Sequence, residues 1–527
     1  MKHFALYACM LVLAACSKGP DAGDALPVHR HADSPGIAWY GGTVQQAFVS
    51  AAKLKRPVFL YWGASWCPPC QQLKSTVFSR PGFIEKTKLF IPVYLDGDEE
   101  AAQKVGETFR VTGYPTLVAF DPVGHEVMRI AGGMDLSQYG NVLDLALDHI
   151  EPAQGLLDAA VGGKRLSAKQ CERLALNAWS LEEVPEAELA TKASALESAA
   201  GACPVEATAM KDRLTIAGMD FRAKKLADPQ AQGAKIDSRL VEDLVLARAA
   251  LDDDARLMAT GDALLGVGQG VFVAAHQLPD AGAWLHSFER GMEKISVSDR
   301  YATADKLLAL SQGLLAQKLV AGRVRDSDAA DLIARLKQEL AKESIAFIRS
   351  GIIDSSLNGL DASGHNDVAY DIVKAELGRS PNPFYWKGDL GDLAEALGRK
   401  QEALDWYQQA FNESKGSATR FQWGFNYATA LIRIRPEDPA AIVAVTTAVL
   451  SELDGSDRIY RRARLRLEGL DKALRKWDLQ AKGKNAAALS QLRSHLQGIC
   501  SKIPAEETAR ASCDAFLSGY GPGARPS

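Results

Sequence analysis

The sequence predicts an α/β domain over residues 37–152 followed by an all-α region that runs to the end of the chain, and three observations carry that expectation. Apolar runs of strand length alternate with helix-length amphipathic stretches as far as residue 150. A Cys-x-x-Cys pair, Cys67 and Cys70, sits directly after one such run, Val58-Phe59-Leu60-Tyr61-Trp62. From Pro152 onward the strand-like alternation stops, and Ala, Leu, Glu, Lys and Arg recur at helical spacing between loops rich in Gly, Pro and Asp.

Taken in order, Thr43 to Leu54 reads as a helix, the run from Val58 as a strand, and the stretch after Cys67 as a second helix. Phe90 to Leu95 follow as a strand and Glu99 to Phe109 as a helix. Thr116 to Phe120 and Glu126 to Ile130 are expected to pair antiparallel across the turn Asp121-Pro122-Val123-Gly124, and Ser137 to His149 closes the domain as a helix.

A strand that feeds a helix at Cys67 puts that sulfur at the positive end of the helix dipole, which favours thiolate and makes Cys67 the expected nucleophile. Cys70, one turn further in, is the expected resolving thiol, which attacks any mixed disulfide formed on Cys67. Pro68 and Pro69 suit a helix's first turn, where a missing N–H costs nothing. A Cys-x-x-Cys can also be half of a zinc site, but Cys171, Cys203, Cys500 and Cys513 lie far off without a second such pair, so no metal is expected.

Residues 37–150 resemble a thioredoxin-fold domain, most closely the C-terminal periplasmic domain of the bacterial thiol:disulfide interchange reductase family. The resemblance rests on Lys55-Arg56-Pro57-Val58-Phe59-Leu60-Tyr61-Trp62 leading into Trp66-Cys67, on Thr76-Val77-Phe78-Ser79, and on Gly113-Tyr114-Pro115-Thr116-Leu117. It implies an α/β thioredoxin fold with Pro115 at the family's cis-proline position. It also implies Trp66, Tyr114 and Pro115 as substrate-contact positions, where an extended client pairs as an added strand. The chain between Cys70 and Pro115 is too short for the central insert of relatives devoted to cytochrome c maturation. The chain departs from the family at two positions. Tyr61 stands where the family buries an acid that helps deprotonate the resolving thiol, and Lys74 stands where the interchange reductase has a second acid. Both are candidate redox-tuning residues: a cation near the dithiol stabilises thiolate and makes the disulfide more oxidising, so the direction of electron flow stays open.

The N-terminus bears on location. Met1-Lys2-His3 precedes the mostly apolar stretch Phe4 to Ala15, too short to span a bilayer and readable as a signal-peptide core. Leu13-Ala14-Ala15-Cys16 resembles the bacterial lipobox, which implies cleavage, lipidation of Cys16 and, from Ser17, the outer membrane; an ordinary cleaved signal peptide is the alternative. Residues 1–16 are thus expected to be the signal segment and 17–36 a flexible tether, followed by an oxidising, periplasmic setting. A net charge of −4 over 527 residues gives no electrostatic footprint for nucleic acid.

The helical part is divided into residues 153–380 and 381–527. In the second, Leu390-Gly391, Ala394, Gly398, Ala403, Tyr407 and Ala410 fit tetratricopeptide spacing, with small residues where paired helices touch; Gly424 and Tyr427 hint at a further copy. The fold class expected overall is therefore an α/β thioredoxin fold followed by an all-α helical-repeat, tetratricopeptide-like region. Cys171 and Cys203 bracket one helical hairpin, and Cys500 and Cys513 bracket the loop holding Pro504, so local pairing into structural disulfides is the economical choice among three connectivities.

Other motifs carry less. Asp96, Asp98, Glu100 and Glu107 echo a calcium-loop spacing, but Ala101 occupies the position needing glycine, and the segment reads as a strand end and a solvated helix start. Gly266-Val267-Gly268-Gln269-Gly270 lacks the Lys-Ser/Thr of a phosphate loop and reads as a turn. The function expected is a membrane-anchored thiol:disulfide oxidoreductase of the protein-disulfide reductase type, needing no cofactor. Its partners would be client proteins with disulfides or thiols and an electron donor. The competing readings are a helical-repeat scaffold lipoprotein with an accessory thioredoxin fold, and a disulfide oxidase or isomerase.

Overall fold

The computed structural model describes residues 28–29, 36–130, 138–148, 151–182, 184–228, 233–454, 459–505 and 507–520. The expected signal segment, Cys16 and the ends of the helix predicted over Ser137 to His149 lie outside them.

The α/β part runs β1 (Val28–His29), β2 (Trp39–Tyr40), α1 (Val44–Leu54), β3 (Val58–Gly63), α2 (Pro68–Leu73), α3 (Pro81–Thr87), β4 (Ile91–Asp96), α4 (Glu100–Thr108), β5 (Thr116–Phe120), β6 (Glu126–Ile130) and α5 (Gln138–Leu147). Four strands form one mixed sheet in the order β4-β3-β5-β6: β3 runs parallel to β4 and antiparallel to β5, and β6 pairs antiparallel with β5. Helix α1 starts where the Thr43 side chain accepts from the Gln46 N–H while Gln46 returns a bond to the Thr43 N–H, a capping box that satisfies two otherwise orphaned donors. The β5–β6 turn closes on Asp121, whose carboxylate accepts from the Val123 and His125 N–H groups, with Gly124 at φ 95° in the left-handed region that suits glycine.

Strand β3 is buried along its whole length and sorts its side chains by alternation. Val58, Leu60 and Trp62 join Ala47, Ile91, Val93 and Val118 on the face covered by α1 and α4. Phe59 and Tyr61 join Trp39, Leu73, Phe78 and Leu143 on the other. The sheet is therefore covered on both sides, which explains why β3 reads as a continuous apolar run. Three short elements went unread in the sequence, the strands β1 and β2 and the helix α3, because none is long enough to show a period. Val28–His29 falls inside the segment expected to be a flexible tether, yet it pairs antiparallel with Trp39–Tyr40.

Among the described residues every element after Pro152 is a helix, from Ala153–Val161 to Thr508–Ala515. Three apolar clusters follow one another along the chain, within residues 153–221, 216–320 and 307–517, so the last runs across residue 380 without a break. Consecutive helices pack as antiparallel-style hairpins, for example Leu189–Ala202 with Thr208–Ala223 and Pro383–Ala396 with Lys400–Glu413. In the latter pair a Cβ on Gly391 would come within 2.7 Å of the Tyr407 ring, so glycine is what lets these helices meet. The turn at Gly266 to Gly270 is a helix junction: the Gly268 N–H bonds the Asp220 carboxylate at 2.7 Å. Among the described residues no single helix is long and apolar enough to cross a bilayer.

The first helical segment is stitched to the sheet. The outer edge of β6 donates the Arg129 N–H to Asn177 Oδ1 at 2.8 Å and accepts the Ala178 N–H at 3.0 Å, and Leu176 sits in the same core as Phe59 and Val127.

Cys171 is bonded to Cys203 and Cys500 to Cys513, the local pairing expected. Each bridge ties one helix end to its neighbour. Replacing Cys171 and Cys203 together by Ala is expected to lower stability to urea by about 2–4 kcal/mol in the chain-entropy view, read as a lower unfolding midpoint under non-reducing conditions.

Candidate active site

The site is built where β3 hands the chain to α2. After the buried strand the chain turns through Ala64, Ser65 and Trp66, and Cys67 takes the N-cap position of α2 with extended backbone, φ −82° and ψ 110°. Its sulfur accepts the Cys70 N–H at 3.2 Å, so it occupies the place where a capping oxygen would sit, facing the positive end of the helix. Pro68 and Pro69 fill the first turn, where the helix needs no donors. The buried Gln71 amide donates to the Ser65 carbonyl at 2.9 Å and fixes the loop against the helix. Beyond Leu73 the helix continues as a π-helical turn over Lys74–Phe78.

Cys67 and Cys70 are disulfide-bonded with their Cα atoms 5.3 Å apart. Trp66 and Tyr114 pack around the pair, and the Tyr114–Pro115 peptide is cis, as the resemblance implied. Tyr114 is held by its hydroxyl, which donates to the Gly97 carbonyl at 3.1 Å and accepts the Gln103 side-chain N–H at 2.6 Å; burial pushes the phenol above its ordinary pKa. Tyr61 is fully buried in an aromatic box with Trp39, Phe78 and Tyr94, and the Lys74 ammonium, also buried, lies over Tyr94 at 5.3 Å from its ring centre. Both candidate tuning residues therefore sit on the sheet side of α2. Among the described residues no cluster of His, Cys, Asp or Glu is arranged to hold a metal ion.

The family described as thioredoxin-like domain matches residues 44–147. That segment is a thioredoxin-like domain. Over 112 residues the chain is 28% identical to the thiol:disulfide interchange protein DsbD of Vibrio vulnificus, in strains CMCP6 and YJ016 alike, a match covering 20% of this chain and 18% of that protein. The chain thus spans less than two thirds of those relatives' length. Among solved structures it aligns with a thioredoxin from Thermus thermophilus at 27% identity, over 21% of this chain and 88% of that one, with a TM-score of 0.20. It aligns with DsbH oxidoreductase at 22% identity, over 24% and 96%, with a TM-score of 0.19. A thioredoxin-like domain carrying a bonded Cys67–Cys70 pair at the head of a helix fits a thiol:disulfide oxidoreductase.

The dithiol is closed off from solvent: Cys67 is only 3% exposed and Cys70 is fully buried. The reason is the helical region, which lies over the dithiol face. Asn382 donates its side-chain N–H to the Ser65 carbonyl at 3.1 Å, and Tyr385 stacks on Trp66 at 6.2 Å between ring centres. The Arg462 guanidinium lies 4.2 Å from the centre of the Tyr114 ring. The helix Ala346–Ala362 packs along α2, with Gln72 of α2 donating to the Asp305 carboxylate at 2.9 Å.

One expectation fails at Asp98, placed in a solvated helix start by sequence. Its carboxylate instead accepts the Trp66 indole N–H, at 2.9 and 3.0 Å to its two oxygens, and the Thr419 hydroxyl of the helical region. Burial raises its pKa, and the bonds from Thr419 and Trp66 oppose that shift. Glu107 is likewise not a free surface acid: Arg464 grips both its oxygens, at 2.8 and 2.5 Å, and the Arg461 N–H adds a bond at 2.7 Å. Behind Trp66, the Tyr385 hydroxyl donates to Asp354 at 2.9 Å, and burial lifts the pKa of Asp354, and of Asp389 further, above the carboxylate range. None of these partners was legible locally. The local signal was confined to Asp354 and Asp389, acids within helices, whereas Asp98 lies on a loop and gave none.

Burial raises Asp305 to about 6, against the opposing bond from Gln72. A carboxyl whose folded pKa lies above its unfolded value binds its proton more tightly when folded, so stability falls as pH rises from about 4 through 6 and then levels off. Asp305→Asn, which keeps an acceptor for Gln72, is expected to flatten that fall, on the order of 2–3 kcal/mol, in urea unfolding measured from pH 4 to 7.5.

Proposed function

We propose that the chain is a thiol:disulfide oxidoreductase of the protein-disulfide reductase type, working in the periplasm and anchored to the outer membrane through a lipid on Cys16. The observation that carries this reading is Cys67 at the N-cap of α2, bonded to Cys70 and flanked by the cis Tyr114–Pro115 peptide. In the reduced state the helix dipole and the Cys70 N–H favour the Cys67 thiolate. That thiolate attacks one sulfur of a client disulfide and expels the other as a thiolate, which leaves a client–Cys67 mixed disulfide. Cys70 then attacks Cys67, the client leaves with both its sulfurs reduced, and the pair is oxidised as it is found here. An electron donor of thiol chemistry resets it. No organic cofactor or metal enters these steps.

The periplasmic assignment rests on the likeness to DsbD and on the lipobox-like Leu13-Ala14-Ala15-Cys16. The tetratricopeptide-like assignment of residues 381–527 is supported by the contacts of its small residues, Gly391 against Tyr407 and Gly424 against Phe411 and Val449, and the concave groove between Tyr407, Phe425, Arg433 and Trp477 suits partner docking. A second reading, a scaffold lipoprotein in which the thioredoxin-like domain only presents the helices, draws on the burial of Cys67.

Insulin reduction separates the two: turnover abolished by Cys67→Ala supports the enzyme, and no turnover with any thiol donor supports the scaffold. Cys70→Ser is expected to leave clients trapped on Cys67 as mixed disulfides, recovered by mass spectrometry, and an absence of adducts counts against client exchange. With Tyr61 and Lys74 in place of the two acids, the reduction potential is expected to be less negative than the thioredoxin value of about −270 mV, measured by equilibration with glutathione.

A further inference from the structure

We propose that the helical region is a cap seated in the client groove, and that its helices must lift from Ser65, Trp66 and Tyr114 before the dithiol can exchange. This deepens the oxidoreductase reading and rests on it. The argument begins with access. Exchange needs a thiolate to reach the Cys67 sulfur, which at 3% exposure offers no approach for a second chain. The groups that close it are the positions a client would use. Asn382 holds the Ser65 carbonyl beside the nucleophile, Tyr385 covers the outer face of Trp66, and Arg462 covers Tyr114, the residue before the cis-proline.

The seam is built to separate. The apolar cluster of residues 307–517 takes in one side chain of the thioredoxin-like domain among the described residues, the half-buried Trp66. Beside the packing of the helix Ala346–Ala362 along α2 and the Arg462 guanidinium on the Tyr114 ring, the links named across this face are hydrogen bonds and an ion pair: Asn382 to Ser65, Thr419 to Asp98, Gln72 to Asp305, and Arg464 to Glu107. Each of these hydrogen-bonding groups finds water as a partner when the seam opens, and with Trp66 alone shared between the apolar cores the seam resembles an interface that moves. At the opposite edge of the sheet the chain is fastened differently. There Leu176 enters the domain's own core and Ala178 and Asn177 bond the β6 backbone, so the first helices stay attached while the later ones lift.

The test is the rate at which dithiothreitol reduces Cys67–Cys70 in the full oxidised chain, read by alkylation and peptide mapping. The reagent's thiolate attacks Cys67 and breaks its bond to Cys70, which leaves as thiolate and takes a proton from water. The second thiol then closes the reagent's ring and frees Cys67, so two electrons pass from reagent to pair. Cys171–Cys203, mapped in the same samples, reports whether a variant has simply unfolded. The combined variant N382A, T419V and R462A is expected to be reduced at Cys67–Cys70 at least tenfold faster than wild type, with Cys171–Cys203 unchanged. Should Cys171–Cys203 accelerate as well, the single variant N382A decides, with at least a twofold gain at Cys67–Cys70 alone expected. Wild type reduced as fast as the variants overturns the cap and leaves the redox reading intact. A Cys67–Cys70 bond that resists dithiothreitol in all of them, with no insulin reduction, overturns the redox reading beneath it.

Discussion

Helix α2 can begin only where β3 ends, and the residue at that junction has to do two things at once. It must cap a helix whose first donors need an acceptor, and it must hold a sulfur within bonding distance of Cys70. Cys67 does both because its sulfur stands where an N-cap oxygen would stand, receiving the Cys70 N–H. The rest of the structure follows from that placement. The strand must be buried on both faces to be rigid, the prolines must fall where donors are superfluous, and Gln71 must hold the loop so that the cap geometry persists. A domain with a disulfide cysteine in this position is defined by a few local contacts. What lies over that cysteine is decided elsewhere in the chain.

Asp98 shows how that second decision is made. It leaves β4 on the short loop before α4, and its carboxylate gathers a donor from each side of the seam, the Trp66 indole and the Thr419 hydroxyl. An acid in such a place carries a desolvation cost that hydrogen bonds only partly offset, which is why its pKa rises. The same holds for Asp305 and Asp354 nearby, while burial and the neighbouring carboxylates of Asp354 and Asp392 raise Asp389. Carboxylates retained at a buried seam are poor glue compared with apolar packing of equal volume. Their presence along the dithiol face fits a contact that is made and broken more readily than a core.

Much of the thioredoxin-like domain was legible because its signals are local. The β3 run, the helix start at Cys67, the Asp121 to Gly124 turn and the two structural disulfides each fall within a few dozen residues, and the pattern of side chains states the answer. The covering of the site was not legible. Gln72 and Asp305 stand 233 positions apart and Asp98 and Thr419 stand 321 apart, and no periodicity links residues at such range. Asp98 even misled: an acid ahead of a helix has an ordinary explanation in the helix dipole, and that explanation hides a buried role. Trp66 was assigned to client contact from the resemblance, and what it touches here is another part of its own chain, Tyr385.

The fastening of β6 reaches beyond the dithiol. An open strand at a sheet margin is a template on which other chains assemble, and proteins blunt such margins with charge, bulges or a covering segment. Here the Arg129 backbone is already engaged by Asn177 and Ala178, so at that residue the margin offers neither a vacant donor nor a vacant acceptor. One position on that flank is thereby closed to the edge-to-edge pairing through which sheets aggregate.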